Sequence, residues 1–225
     1  MYILRGENVN SEYLNFFQII GGVEYYTLNS SVEVNRVKDT NAKHIDILSE
    51  IDGKPVKIIG MKSFLNCDKL ESVTIPNTIT KIAQNAFHNC KSLKSVYIPD
   101  SVTELGWAAF YGCISLTDVR LPLNLKAINE RTFGGCLALQ QITIPNSVSK
   151  IRSLAFKGCS NLHTFNLPNN LKEIEPNAFA DCHNITHVLF SQKYLDRCDD
   201  VERAMKTLWN MGLKTREVLL RQPSI

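Results

Sequence analysis

Residues 144–162 read IPNSVSKIRSLAFKGCSNL, and this stretch decides the fold because the chain repeats it. Phe64, Phe87, Phe110, Phe133, Phe156 and Phe179 stand 23 residues apart, and Cys67, Cys90, Cys113, Cys136, Cys159 and Cys182 keep the same spacing. Pro76, Pro99, Pro122, Pro145 and Pro168 form a third column, and Leu70, Leu93, Leu116, Leu139, Leu162 and Ile185 a fourth. Six units follow, at 53–75, 76–98, 99–121, 122–144, 145–167 and 168–190. A unit this short cannot bury its apolar face alone. Stacked on copies of itself it buries one continuous core, which is the logic of a solenoid.

Within a unit, alternation at Val96 and Ile98 predicts a short strand with Tyr97 facing out. The following Pro lacks a backbone donor and ends the strand. A second extended piece falls at Ile79–Ile82, and Asn85–Cys90 reads as about one helical turn.

The pattern FxxCxxLxxVxIPxxIxxI, with 144–162 as its clearest copy, resembles the BspA-type leucine-rich repeat family. The resemblance spans all six units. It implies a protein-interaction module, often a surface adhesin of host-associated bacteria and some protozoa. The expected fold is an α/β solenoid, a right-handed leucine-rich-repeat superhelix of six coils with short parallel strands, capped at both ends. Residues 1–52 are expected to form an N-terminal cap. Within it, 23–37 read as a hairpin, 45–48 as a strand before the Asp52-Gly53 turn, and Tyr13, Phe16, Phe17, Ile19 and Ile20 as packing over the first unit. Residues 191–225 are expected to form a helical cap, with the helix at 199–211.

Composition excludes several function classes. The 225 residues are 44% hydrophobic and 21% charged, as in an ordinary globular chain. A net charge of +3 carries no electrostatic argument for nucleic acid. No apolar run is long enough for membrane insertion. The start, MYILRGENVNSEYLNFFQIIGG, lacks a secretory pattern. The expected location is therefore cytoplasmic, with the cell surface or secretion as the alternative if an export segment precedes it.

The cysteine column reads first as a spine of reduced core thiols. Its spacing also admits a disulfide, and a metal site is the weakest alternative because CxxC pairs are missing. His163, His183 and His187 could approach one ion, but polar surface is the simpler reading. No nucleophile elbow, P-loop or HExxH is found, so neither an enzyme nor a cofactor is expected.

A partner site is expected on the outward columns of the sheet, the concave face of a solenoid. Tyr97, Arg120, Thr143 and Asn166 lie in one column, Asp118, Gln141 and His187 in the next, and His163 beside them. A second patch combines Trp107 and Tyr111 with Ile114 and Leu137. The function expected is noncatalytic protein binding through one of these surfaces. The alternative is an adhesive surface element.

Overall fold

The computed structural model describes residues 17–189. They form a β-solenoid of about seven turns. Strands and turns account for it, with no helix among the described residues. The α/β label is therefore corrected to all-β. The helix expected at 199–211, and with it the C-terminal cap, lies outside the described residues.

Each coil has three sides. The front carries strands His44–Asp46, Ser72–Thr74, Ser95–Tyr97, Asp118–Arg120, Gln141–Ile142, Thr164–Asn166 and His187–Leu189. From Ser95–Tyr97 onward paired strands are one period apart, as in Val96 opposite Val119 and Phe165 opposite Val188. The second side runs from Lys54–Ile59 through Lys81–Ile82, Glu104–Leu105, Ala127–Ile128 and Lys150–Ile151 to Glu173–Ile174. Its pairings are parallel too.

The third side is where the expected helical turn fails. There alternate N–H groups reach the next coil: Lys62 donates to Gln84 O, Phe64 to Ala86 O and Asn66 to His88 O, at 3.2, 2.8 and 2.9 Å. A helix would need those same donors for bonds within the segment. The backbone instead turns twice per coil through left-handed residues. One column is Lys62, Asn85, Ala108, Arg131, Leu154 and Asn177; the other is Asn66, Asn89, Gly112, Gly135, Gly158 and Asp181. Left-handed geometry costs an L-residue with a side chain roughly 1–2 kcal/mol, which the inter-coil ladder offsets at Ala108 and Arg131, whose N–H groups donate to Glu130 O and Ser153 O.

The core is a set of stacked columns. The six phenylalanines form one interior row, each fully buried. Successive ring centroids are 4.5, 5.1, 5.6, 5.6 and 4.8 Å apart. The six cysteines of the column are buried and unpaired. From Cys90 onward each thiol donates to the carbonyl of the preceding coil's phenylalanine, as Cys113 does to Phe87 O and Cys136 to Phe110 O, at 3.2 and 3.3 Å. The thiols thus stitch the coils together while satisfying their own weak donors.

At the N-terminal end Val23–Thr27 and Val32–Val37 pair antiparallel, and Val32–Val37 continues the second side by pairing with Lys54–Ile59. Asp52 and Gly53, both at positive φ, make a two-residue hairpin turn between Ile51 and Lys54. Phe17–Ile20 is a further edge strand on Val23–Thr27. Phe17 and Ile19 are 57% and 63% exposed, so they do not pack over the first unit as expected, while Tyr13 and Phe16 lie outside the described residues. The reason is register: the antiparallel pairing gives Phe17 the ring of Tyr26 as its neighbour instead of the core.

Gly106 marks a tight backbone approach between coils. A Cβ there would overlap the backbone of Ala83 and Gln84. Gly106→Ala is expected to cost about 1–3 kcal/mol, the usual range for overpacking, measured by urea denaturation. A loss under a few tenths would mean that the coils separate freely there.

Candidate partner-binding surfaces

On the front sheet, Tyr97 and Arg120 are register partners on adjacent strands. The guanidinium carbon lies 4.7 Å from the Tyr97 ring centroid. Arg120 is held from behind by a two-pronged pair with Asp100, both bonds 2.7 Å, and by donation to Ile98 O at 3.0 Å. Asp100 Oδ1 also accepts the backbone N–H of Leu123 at 2.7 Å. The Arg120 guanidinium and then the Leu123 N–H hold the Asp100 carboxyl below its ordinary pKa. The result is a fixed cation over an aromatic ring, flanked by Leu123. Tyr97 is 59% exposed and Leu123 61%.

The other front residues are distributed plainly. Asp118, Gln141, Thr143, His163 and Asn166 are exposed along the sheet. His187 lies on the last described front strand, opposite Thr164. Among the described residues no group of three or more His, Cys, Asp or Glu side chains is arranged to hold a metal ion.

Asp100 and Leu123 were not among the sequence candidates. A signal for Leu123 existed: its column reads Asn77, Asp100, Leu123, Asn146 and Asn169, where one aliphatic residue breaks a polar series. The polar members serve the next coil's backbone, as Asn146 Oδ1 accepts Asn169 N–H at 2.9 Å.

A second unforeseen set lies at the start of the sheet. His44 Nδ1 is 2.7 Å from Ser72 Oγ, and His44 Nε2 is 3.0 Å from Asp46 Oδ1. This resembles a Ser–His–Asp relay in composition. However, the His44 and Asp46 side chains are 49% and 70% exposed on open strands, where water screens the charges a nucleophile would need. Beside it Glu71 bridges Lys43 and Lys94 at 3.2 and 2.7 Å.

The second patch does not share one set of neighbours. Trp107, 46% exposed, donates its indole N–H to Gln84 one coil away, and both line a groove of about 620 Å³. Tyr111 is half-buried with its ring 5.0 Å from His88. Ile114 and Leu137 are 41% and 44% exposed in successive coils, joined through Ala138 N–H to Ile114 O at 3.1 Å.

A profile for the BspA type Leucine rich repeat region matches residues 57–186 in six copies. The chain belongs to the BspA-type leucine-rich repeat family. Its BspA-type coils are similar to those of the T. pallidum leucine-rich repeat protein, at 26% identity and a TM-score of 0.72, covering 88% of this chain and 97% of that one. A leucine-rich repeat protein from Eubacterium ventriosum shares the fold at 21% identity and a TM-score of 0.53, covering 70% of this chain and 49% of that one. None of the curated proteins matches. No helix among the described residues is long and apolar enough to cross a membrane.

Proposed function

We propose that this chain is a noncatalytic protein-binding module whose partner seats on the front sheet around Tyr97, Arg120 and Leu123. The observation that carries this reading is the clamped stack of Arg120 on Tyr97. Three hydrogen bonds fix the guanidinium before any partner arrives. Binding then loses little side-chain entropy, and Tyr and Arg are the types that dominate interface energetics. Asp118 and Gln141 beside this centre supply a polar rim. The noncatalytic part is supported by the open, solvated setting of the one Ser–His–Asp set described above.

The test compares baits. Wild type, Tyr97→Ala, Arg120→Ala and the opposite-side control Lys172→Ala are used against proteins of the native host. The expected result is a protein whose retention falls about thirtyfold in both front variants, the scale of a hot-spot residue, and is unchanged in the control. If every retained protein is held equally by all four, the front sheet is not the docking face.

Arg120→Lys separates the clamp from the charge. A lysine cannot make the two-pronged pair or stack flat on the ring. Affinity is expected to fall by about tenfold, with only a small change in stability because the pair lies at the surface, partly open to water. Titration calorimetry and a thermal melt check both.

A further inference from the structure

We propose that the groove beside Trp107 binds a neutral oligosaccharide lying along the solenoid axis. This site lies on the second side of the coils and is separate from the Tyr97 centre.

Four successive coils build it in register. Met61, Gln84, Trp107 and Glu130 occupy one column of its lining. Three inter-coil spacings of roughly 4.8 Å make it about 14 Å long, suited to a linear chain of small units. Its volume of about 620 Å³ falls among ordinary ligand sites. Ala83, with its small side chain, also lines the groove.

The indole is fixed. Its N–H is spent on Gln84 Oε1, and Gln84 Nε2 in turn donates to Met61 Sδ at 2.7 Å. What remains for a ligand is an apolar aromatic face whose plane is set in advance. Charge then selects among ligands. Each cation in the lining already has an anion: Lys81 with Glu104 at 3.0 Å, Arg131 with Glu130 at 2.8 Å, Arg152 with Glu175 at 2.9 Å. An anionic ligand therefore meets no uncompensated positive charge. A purely apolar ligand would strip water from those same groups at a cost.

Paired carboxylates and guanidinium groups still keep spare acceptor and donor positions. Asn129 is pinned by its Nδ2 to Leu105 O at 2.6 Å, which fixes its amide plane. One apolar plane surrounded by oriented, charge-neutral polar groups matches a sugar, which has a C–H face and a rim of hydroxyls.

Calorimetric titration with chitohexaose, cellohexaose and maltohexaose, and with a heparin hexasaccharide, tests this. The expected result is that at least one of the three neutral sugars binds and heparin binds more weakly. Trp107→Ala then weakens the neutral sugar at least tenfold with an unchanged melting curve, and Tyr97→Ala has no effect. Should Trp107→Ala fail to fold, Trp107→Tyr carries the test, with a smaller loss of affinity expected. The proposal is overturned if none of the neutral sugars binds at millimolar concentration, if heparin binds more tightly, or if the Trp107 variants bind as wild type does.

Discussion

Phe110→Ala is expected to remove about 3–5 kcal/mol of stability, the range for truncating a buried aromatic. Phe110 is fully buried in the middle of the row. Its ring lies nearly parallel to Phe87 at 3° and to Phe133 at 6°, so truncation strips a neighbour from both. The cavity cannot collapse easily. The Phe110 N–H is tied to Thr132 O at 2.9 Å, and its carbonyl accepts the Cys136 thiol at 3.3 Å. The following coil thus holds the Phe110 backbone at both its N–H and its carbonyl. Phe64, the first of the row, has one neighbouring phenylalanine, Phe87. Phe64→Ala should therefore cost less and should loosen the N-terminal coil before the rest. Urea denaturation followed by circular dichroism, together with hydrogen exchange, checks both. A loss below about 1 kcal/mol for Phe110→Ala would contradict a continuous stacked core.

The second large effect is chemical. In the folded protein the thiols of the column should resist iodoacetamide at pH 8 and react fully once unfolded. Burial pushes the Cys136 thiol up to about 12, and Cys67 up to about 12. An ordinary thiol, with pKa about 8.5, is roughly a quarter thiolate at pH 8, whereas one at about 12 is thiolate on the order of 10⁻⁴. Native alkylation of Cys136 should thus be more than a thousandfold slower, before steric protection adds to it. Mass spectrometry of labelled peptides reads this site by site. Comparable rates in native and unfolded protein would show that the column is not sealed.

The same shift sets a pH dependence. The folded pKa lies above the unfolded one, so the folded state holds the proton more tightly. The contribution is whole below about pH 8.5 and is lost as pH rises toward 12. For Cys136 the slope reaches about 1.4 kcal/mol per pH unit inside that window. Cys136→Ala should flatten the alkaline decline by that amount.

The columns of Phe, Cys, Leu and Pro were legible because a fixed period puts chemically like residues on top of one another, and only a stacked core rewards that. The third side was misread. Asn85, Ala86, Phe87 and Cys90 are compatible with a helical turn as residue types, but Asn85 and Asn89 are left-handed. A periodic clue was present in Asn66, Asn89, Gly112, Gly135, Gly158 and Asp181, types that tolerate positive φ. The companion column is less legible: beside Asn85 and Asn177 it holds Ala108, Arg131 and Leu154, and the Ala108 and Arg131 N–H groups are claimed by the following coil, at Glu130 O and Ser153 O.

The pairing of Tyr97 with Arg120 followed from register alone. Asp100 did not, because the path of the chain after Pro99 decides whether its carboxylate reaches the guanidinium. Trp107 was legible as an exposed aromatic, and Gln84 as its counterpart one period away. That the ring belongs to a groove and Tyr111 to His88 depends on side-chain direction, which spacing does not determine.

Because the hydrogen-bonded junctions of the repeats recur at the same offsets from coil to coil, the molecule behaves as a tape measure marked in units of one period. Excising residues 122–144 would join Leu121 to Pro145 just as it now joins Pro122, and every later side chain would keep its column. Loss of a single residue would instead throw all downstream side chains out of phase. Such a scaffold gains or sheds length only in whole increments, and each increment shifts the downstream surface along the axis without redrawing it.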